Sequence, residues 1–185
     1  PDGPLTSQLQ KIGEGDKVLL GKKPVGTLVL DALKPGKRLY MFSTGTGFAP
    51  FASLVRDPET YEKFEEVIVS HTCRDVAELA YSREIVDGFL NDPDLGEIAQ
   101  GKLRLYQSCT REDFEHMGRP TELIRSGKLF EDLGVERLDP SVDRAMICGS
   151  IDMTKELKDL MEEHGLREGA NSDPADFVIE RAFVD

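Results

Sequence analysis

The 185-residue chain contains no tryptophan, only three cysteines and only three histidines, and no apolar run approaches the length of a membrane span. Each scarcity excludes something. Crossing a bilayer as a helix takes roughly 20 consecutive apolar residues, so no spanning helix is expected. Cys73, Cys109 and Cys148 are odd in number and lack C-x-x-C spacing. Neither a disulfide framework nor a zinc site is indicated. His71, His116 and His164 are dispersed without the H-E-x-x-H spacing of a metalloprotease, and metal catalysis is not expected. The opening PDGPLTSQLQ has neither the charged nor the apolar region of a secretory signal. A reducing cytoplasm fits the cysteine usage.

Basic side chains are also in short supply, 23 against 35 acidic ones, for a formal charge of −12. A protein that neutralises nucleic-acid phosphates needs a broad basic surface, so no nucleic-acid partner is expected. The charge is uneven: residues 1–40 carry seven basic and four acidic groups, net +3, and the other 145 residues carry −15. Such a bias can steer an acidic protein partner toward the N-terminal face, although scattered cations are more often a solvated surface.

What is present is a globular composition, 39% hydrophobic and 31% charged, in a length that suits one domain and a small remainder. The first residue is Pro1, not methionine, and we expect a segment ahead of it. Residues 1–35 hold a possible helix over 5–12 and strand-like runs at 17–20 and 26–30. From residue 36 the rhythm changes to short β-branched and aromatic runs at 38–43, 66–71, 102–107, 144–148 and 176–181, alternating with helix-period segments. Helices are expected at 48–56, around 61–64, at 76–90, at 121–126 and from 153 to 161. This alternation predicts an α/β fold, a doubly wound five-stranded parallel sheet over 36–185.

At the end of the first strand stands Ser43-Thr44-Gly45-Thr46-Gly47-Phe48-Ala49-Pro50. Glycines in a strand-to-helix turn let the backbone approach a pyrophosphate, and the turn's N–H groups attract its charge. Pro50 replaces the third glycine of G-x-G-x-x-G, and no GK[ST] marks a P-loop. Taken alone, such a turn is as often a tight connection. The second strand ends in Ser70-His71-Thr72-Cys73-Arg74, without the acidic residue that would hold a free ribose 2′-hydroxyl. Arg74, Arg111 after the third strand and Arg119 beyond it offer guanidinium forks suited to a 2′-phosphate. Each singly is as readily an ion pair. Cys148-Gly149-Ser150 closes the fourth strand and should face the glycine turn across the crevice if the strand order reverses there. No base stands beside Cys148 in sequence, so packing or a nicotinamide contact is favoured over nucleophilic catalysis.

Together the segments PDGPLTSQL, KPVGTLVLD, STGTGFAPFASLVRDPETYEKF, HTCRDVAELAY, CTRE, GRPTELI, RAMICGS and FVIERAF resemble, in order and spacing, the bacterial type of the ferredoxin–NADP reductase family. The resemblance covers essentially the whole chain. It implies an oxidoreductase that moves electrons between NADPH and ferredoxin or flavodoxin through FAD, with residues 1–35 the C-terminal remnant of an antiparallel FAD-binding β-barrel and 36–185 the NADP domain. By this resemblance Gly3, Leu5, Thr6 and Ser7 meet the FAD pyrophosphate, and Thr44, Gly45, Thr46, Gly47 and Pro50 form the NADP pyrophosphate turn. Arg74, Arg111 and Arg119 hold the 2′-phosphate. Cys148 and Gly149 line the nicotinamide pocket, Glu180 supplies a carboxylate near hydride transfer, and Ala182 and Phe183 lie against the flavin. The family's R-x-Y-[ST] flavin motif is absent from these 185 residues. The alternative expectation is therefore an NADP-binding fragment without turnover.

Overall fold

Neither face of the central strands meets water, which is why their sequences are continuous apolar runs and not alternating ones. In the computed structural model, which describes residues 3–23 and 26–180, the strands are β1 (Arg38–Thr44), β2 (Glu66–Cys73), β3 (Leu103–Cys109), β4 (Asp143–Cys148) and β5 (Phe177–Glu180). They form one parallel sheet in the order β3-β2-β1-β4-β5. The chain winds outward from β1 in one direction and then in the other, so the order reverses between β1 and β4. The doubly wound expectation holds. Ala182 and Phe183 lie outside the described residues.

Alternate residues of β1 feed two cores. Leu39 and Met41 join Phe51, Val69, Val86 and Phe89 on one face, and Tyr40 and Phe42 join Ile68, Ile124, Phe130 and Leu157 on the other. The first layer is covered by α2 (Ala49–Leu54), α3 (Pro58–Lys63), α4 (Ala80–Leu90) and α5 (Gly96–Ala99). The second is covered by α6 (Pro120–Ser126), α7 (Lys128–Leu133) and α8 (Ile151–Glu163). Local chemistry sets the starts. Asp57 caps α3 by accepting from Glu59 N at 3.0 Å, ahead of Pro58, and Ser150 caps α8 by accepting from Met153 N at 3.4 Å.

Several expectations are corrected. The segment 76–90 is not one helix: Val76–Leu79 is a 3₁₀ turn that hands over to α4. The short helices α5 and α7 have no counterpart among the expected segments. The N-terminal helix α1 spans only Thr6–Leu9 and buries nothing, and a helix without a packed face has no tertiary support. Residues 17–20 and 26–30 join no strand; among the described residues no ladder reaches them, and Leu19 and Leu20 are exposed. Strand-like side chains need a partner strand. By contrast Leu30, Ala32 and Leu33 are buried. Lys34 N donates to Ala175 O at 2.8 Å, and the Arg144 guanidinium donates to the carbonyls of Lys34 and Pro35. Residues 30–35 are thereby fastened to the β4–β5 side of the sheet.

Candidate functional site

The reversal of strand order opens a crevice at the carboxyl edge, and two backbone turns meet there. Leaving β1, Thr44 is extended and Gly45–Phe48 forms a 3₁₀ turn into α2. A Cβ on Gly47 would overlap the carbonyl oxygen of Cys148, and a Cβ on Gly149 would overlap the Thr44 hydroxyl. Ser150 N donates to that same hydroxyl at 3.3 Å. Only glycines let the turns after β1 and β4 close on each other this tightly.

The loops after β2 and β3 are cross-braced before any ligand arrives. Thr110 N donates to Cys73 O and Arg111 N to Arg74 O, each at 3.1 Å. Glu112 accepts from Val76 N at 2.7 Å, and Glu78 accepts from Arg74 N at 3.1 Å. Thr72 and Ser108 share a hydroxyl–hydroxyl hydrogen bond of 2.6 Å between the strands. The chain then folds back on β3, with Gly118 N donating to Cys109 O at 3.1 Å, which delivers Arg119 to the same edge.

The result is a cleft of about 780 Å³ lined by Thr44, Gly45 and Thr46 together with Arg74, Arg111 and Arg119. That size lies within the roughly 300–1,000 Å³ typical of small-molecule sites. All three arginines are exposed. Among the described residues none of their guanidinium groups has a carboxylate within 4.0 Å. Other arginines are engaged: Arg38 with Asp143 at 2.8 Å, Arg104 with Glu66 at 2.9 Å and Arg167 with Asp173 at 2.7 Å. Three guanidinium forks without carboxylate partners at one edge of an acidic protein have the geometry and charge that suit a multiply charged anion.

Other predicted positions fall outside the cleft. Pro50 lies in the first turn of α2, half-buried. Cys148 is fully buried in register between Ser43 and Glu180. Burial, with the Glu180 carboxylate adding to it, pushes its thiol up to about 11. Glu180 is half-buried and accepts from Thr27 N at 2.8 Å and from the Thr27 hydroxyl. Cys148 and Glu180, on β4 and β5, thus form a pair on the far side of β1 from Arg74 and Arg111, which follow β2 and β3. Gly3, Leu5, Thr6 and Ser7 do not reach the cleft; Thr6 Oγ1 donates to Gly3 O at 3.3 Å and Ser7 Oγ to Pro4 O at 3.2 Å.

Sequence reading missed the acidic wall. Asp152 and Glu156 line the cleft from α8, and Glu156 accepts from Thr121 Oγ1 at 3.0 Å. Their i, i+4 spacing in the first turns of a helix that opens at a strand end was the available signal. Among the described residues no cluster of three or more His, Cys, Asp or Glu could hold a metal, and no helix is long and apolar enough to cross a membrane.

No protein-family model matches the chain. A flavodoxin/ferredoxin–NADP reductase from Rhodobacter capsulatus is 58% identical over 184 residues, taking in 100% of this chain and 68% of that protein. A ferredoxin–NADP reductase from Pseudomonas aeruginosa is 50% identical over 186 residues, 100% of this chain and 72% of that protein. Among solved structures, a ferredoxin NADP+ reductase from Neisseria gonorrhoeae with bound FAD and NADP matches with a TM-score of 0.82 at 27% identity, covering 99% of this chain and 71% of that one.

Proposed function

Because the chain belongs to the flavodoxin/ferredoxin–NADP reductase family, we propose that it is an oxidoreductase that binds NADP in the cleft at its sheet edge and exchanges electrons, through FAD, with ferredoxin or flavodoxin. The observation that carries this reading is the meeting of the Thr44–Gly47 turn with three unpaired guanidinium groups in one cleft. In the proposal the turn takes the pyrophosphate, and Arg74, Arg111 and Arg119 take the phosphate on the adenine ribose. Their loops are braced beforehand, so little ordering entropy is lost on binding. Asp152 and Glu156 face the arginines as acceptors for ligand hydroxyl or amino groups.

The Neisseria relative holds FAD and NADP. Bound together, such cofactors supply the redox step, a hydride exchange between nicotinamide and flavin followed by single-electron delivery to the protein partner. This chain's own part is to hold and to exclude water. Cys148 stays a neutral thiol, and Glu180 presents a carboxylate already oriented by Thr27. Neither forms a covalent bond with the substrate. Gly3 to Ser7 do not form a flavin pocket by themselves, so FAD enters from the family reading, with residues 1–35 as the end of its barrel. A soluble, cytoplasmic enzyme is part of the same proposal.

The chain spans about 70% of the length of the relatives named above, and that fact favours a second reading, an NADP-binding module without turnover. Titration with NADP+ and NAD+ tests the shared core: NADP+ should bind at least tenfold tighter, as expected when a charged hydrogen-bonding group is matched. Equal affinities would defeat both readings. Addition of FAD, followed by its absorbance after gel filtration and by NADPH-driven dye reduction, separates them, since absence of flavin uptake leaves the module.

A further inference from the structure

Beneath the glycine turn lies a buried polar chain that the NADP reading does not use. His71 on β2 is almost fully buried. Its Nε2 is 2.9 Å from the carbonyl oxygen of Gly45, and its Nδ1 is 2.7 Å from Ser82 Oγ on α4. Gln107 on β3 places its amide nitrogen 2.8 Å from Ser82 Oγ and 2.7 Å from Leu79 O. At the outer end, exposed Arg83 donates to Gln107 Oε1 at 2.7 Å from Nη2 and 3.2 Å from Nε. Phe48 stacks on the imidazole with 5.2 Å between ring centres.

The proton positions in this chain follow from donor and acceptor capacity. A guanidinium only donates, so the Gln107 oxygen must face Arg83 and the amide NH₂ must face inward. Its two hydrogens go to Leu79 O and Ser82 Oγ. Leu79 O, 3.1 Å from Ser82 Oγ, is a second acceptor open to that hydroxyl, so the deciding contact is at the other nitrogen: the Gly45 carbonyl can only accept, and its 2.9 Å contact puts the imidazole hydrogen on Nε2. On a neutral ring this leaves Nδ1 bare, to accept from the Ser82 hydroxyl. Two neighbours bear on this ring. The Cys73 thiol lies 3.3 Å from Nε2 and is itself pushed up to about 11 by burial. The Glu78 carboxylate favours a charged ring, but burial outweighs it and lowers the imidazole below its ordinary range. The ring is therefore neutral at pH 7.

We propose that His71 is a positioning residue for the nucleotide turn, a neutral Nε2–H donor whose ring is held from behind by Ser82 and Gln107, and which anchors the Gly45 carbonyl inward. The two sides of a trans peptide point oppositely. An anchored Gly45 carbonyl therefore presents the N–H of Thr46, in the same peptide unit, toward the cleft that Thr46 lines. The inference rests on the NADP reading for its ligand and adds the residue that orients the turn's donor. A side chain that merely filled space would be replaced best by another ring; a donor would be replaced best by another donor.

Two substitutions separate these roles. In H71F the ring and its stacking on Phe48 remain and the donor is lost; in H71Q the amide nitrogen keeps a donor at the Nε2 position. Dissociation constants are measured by calorimetry for NADP+ and for 2′-AMP, which carries the ribose phosphate without the pyrophosphate. H71F should weaken NADP+ roughly tenfold, as for one lost hydrogen bond, H71Q should stay within about threefold of wild type, and 2′-AMP binding should be unchanged in both. H71F retaining NADP+ affinity, or losing both ligands equally, would overturn the proposal. Nitrogen-15 chemical shifts of the His71 ring in the wild-type protein test the donor without any variant or ligand: the neutral Nε2–H tautomer is expected at pH 7, and the Nδ1–H tautomer would refute it. Wild-type protein that fails to bind NADP+ would instead remove the NADP reading, with the tautomer result still standing on its own.

Discussion

The backbone of Gly47 packs against the carbonyl of Cys148 with no room for a Cβ. This contact seals the seam between the turns that leave β1 and β4. Gly47→Ala forces the two apart, and overpacking of this kind costs about 1–3 kcal/mol. The expected outcome is a lower urea midpoint together with weaker NADP+ binding, because the cleft wall at Thr44 moves with the seam. Gly88 is the control. It sits within α4, and a Cβ added there would meet nothing within 4 Å, so Gly88→Ala should stabilise by roughly 0.5–1 kcal/mol on helix propensity alone. Equal effects of the two substitutions would contradict the close-contact account.

Arg111 belongs to the braced loop pair and has no carboxylate partner among the described residues. Arg111→Ala is expected to weaken NADPH by about 1–3 kcal/mol, the scale of a hydrogen bond to a charged group, and to leave NADH little changed. The discrimination between the two nucleotides, measured by competitive titration, should fall accordingly. Salt should also weaken NADPH binding less in the variant than in the wild type. Parallel losses for both nucleotides would place Arg111 outside the phosphate site.

The sheet was legible because central parallel strands are buried on both faces and write themselves as unbroken apolar runs: residues 38–43 and 66–71 name β1 and β2 to within two residues. The placement of Arg74 and Arg111 at the sheet edge was legible because both follow a strand end directly, whereas Arg119 reaches that edge only through the fold-back after β3. What failed, failed for physical reasons. Residues 17–20 look like a strand, but strand formation depends on a partner, and none reaches them here. The helices α5 and α7 are four and six residues long, too short to carry a period. His71, Ser82 and Gln107 come from three separate elements, and nothing in their spacing announces that they share one hydrogen-bond chain.

Cys148 ends a strand just before α8, where a reactive thiolate could form, yet burial holds its thiol up at about 11. At pH 8 the thiolate fraction is then about two orders of magnitude below that of an ordinary cysteine with a pKa of about 8.5. Iodoacetamide should label Cys148 more slowly than a free thiol by at least that factor in the folded protein, and at the ordinary rate in denaturant. The check is peptide mass spectrometry over a time course. Rapid native labelling would mean that the site is open and the thiol activated, and would return Cys148 to consideration as a nucleophile.

The buried imidazole of His71 also sets a direction for stability against pH. Its folded pKa is lowered, chiefly by burial, with the Gly45 carbonyl and the Glu78 carboxylate acting in the opposite sense. An unfolded histidine titrates near about 6.5. Below that pH the unfolded chain takes up a proton that the folded chain refuses, so the unfolded state binds more protons and stability falls as pH falls, from about 6.5 down to the folded value. Carboxylates held low, such as Asp132 beside Lys128 and Tyr106, act in the same direction but only at more acidic pH, near and below about 3.9. Between pH 7.5 and 5.5 the wild type should therefore lose stability more steeply than H71Q, which has nothing to titrate at that position. Urea unfolding of both proteins at several pH values measures the two slopes. If they coincide, His71 takes up a proton in the folded protein as readily as in the unfolded one, and burial beneath the glycine turn does not hold the ring neutral below about pH 6.5.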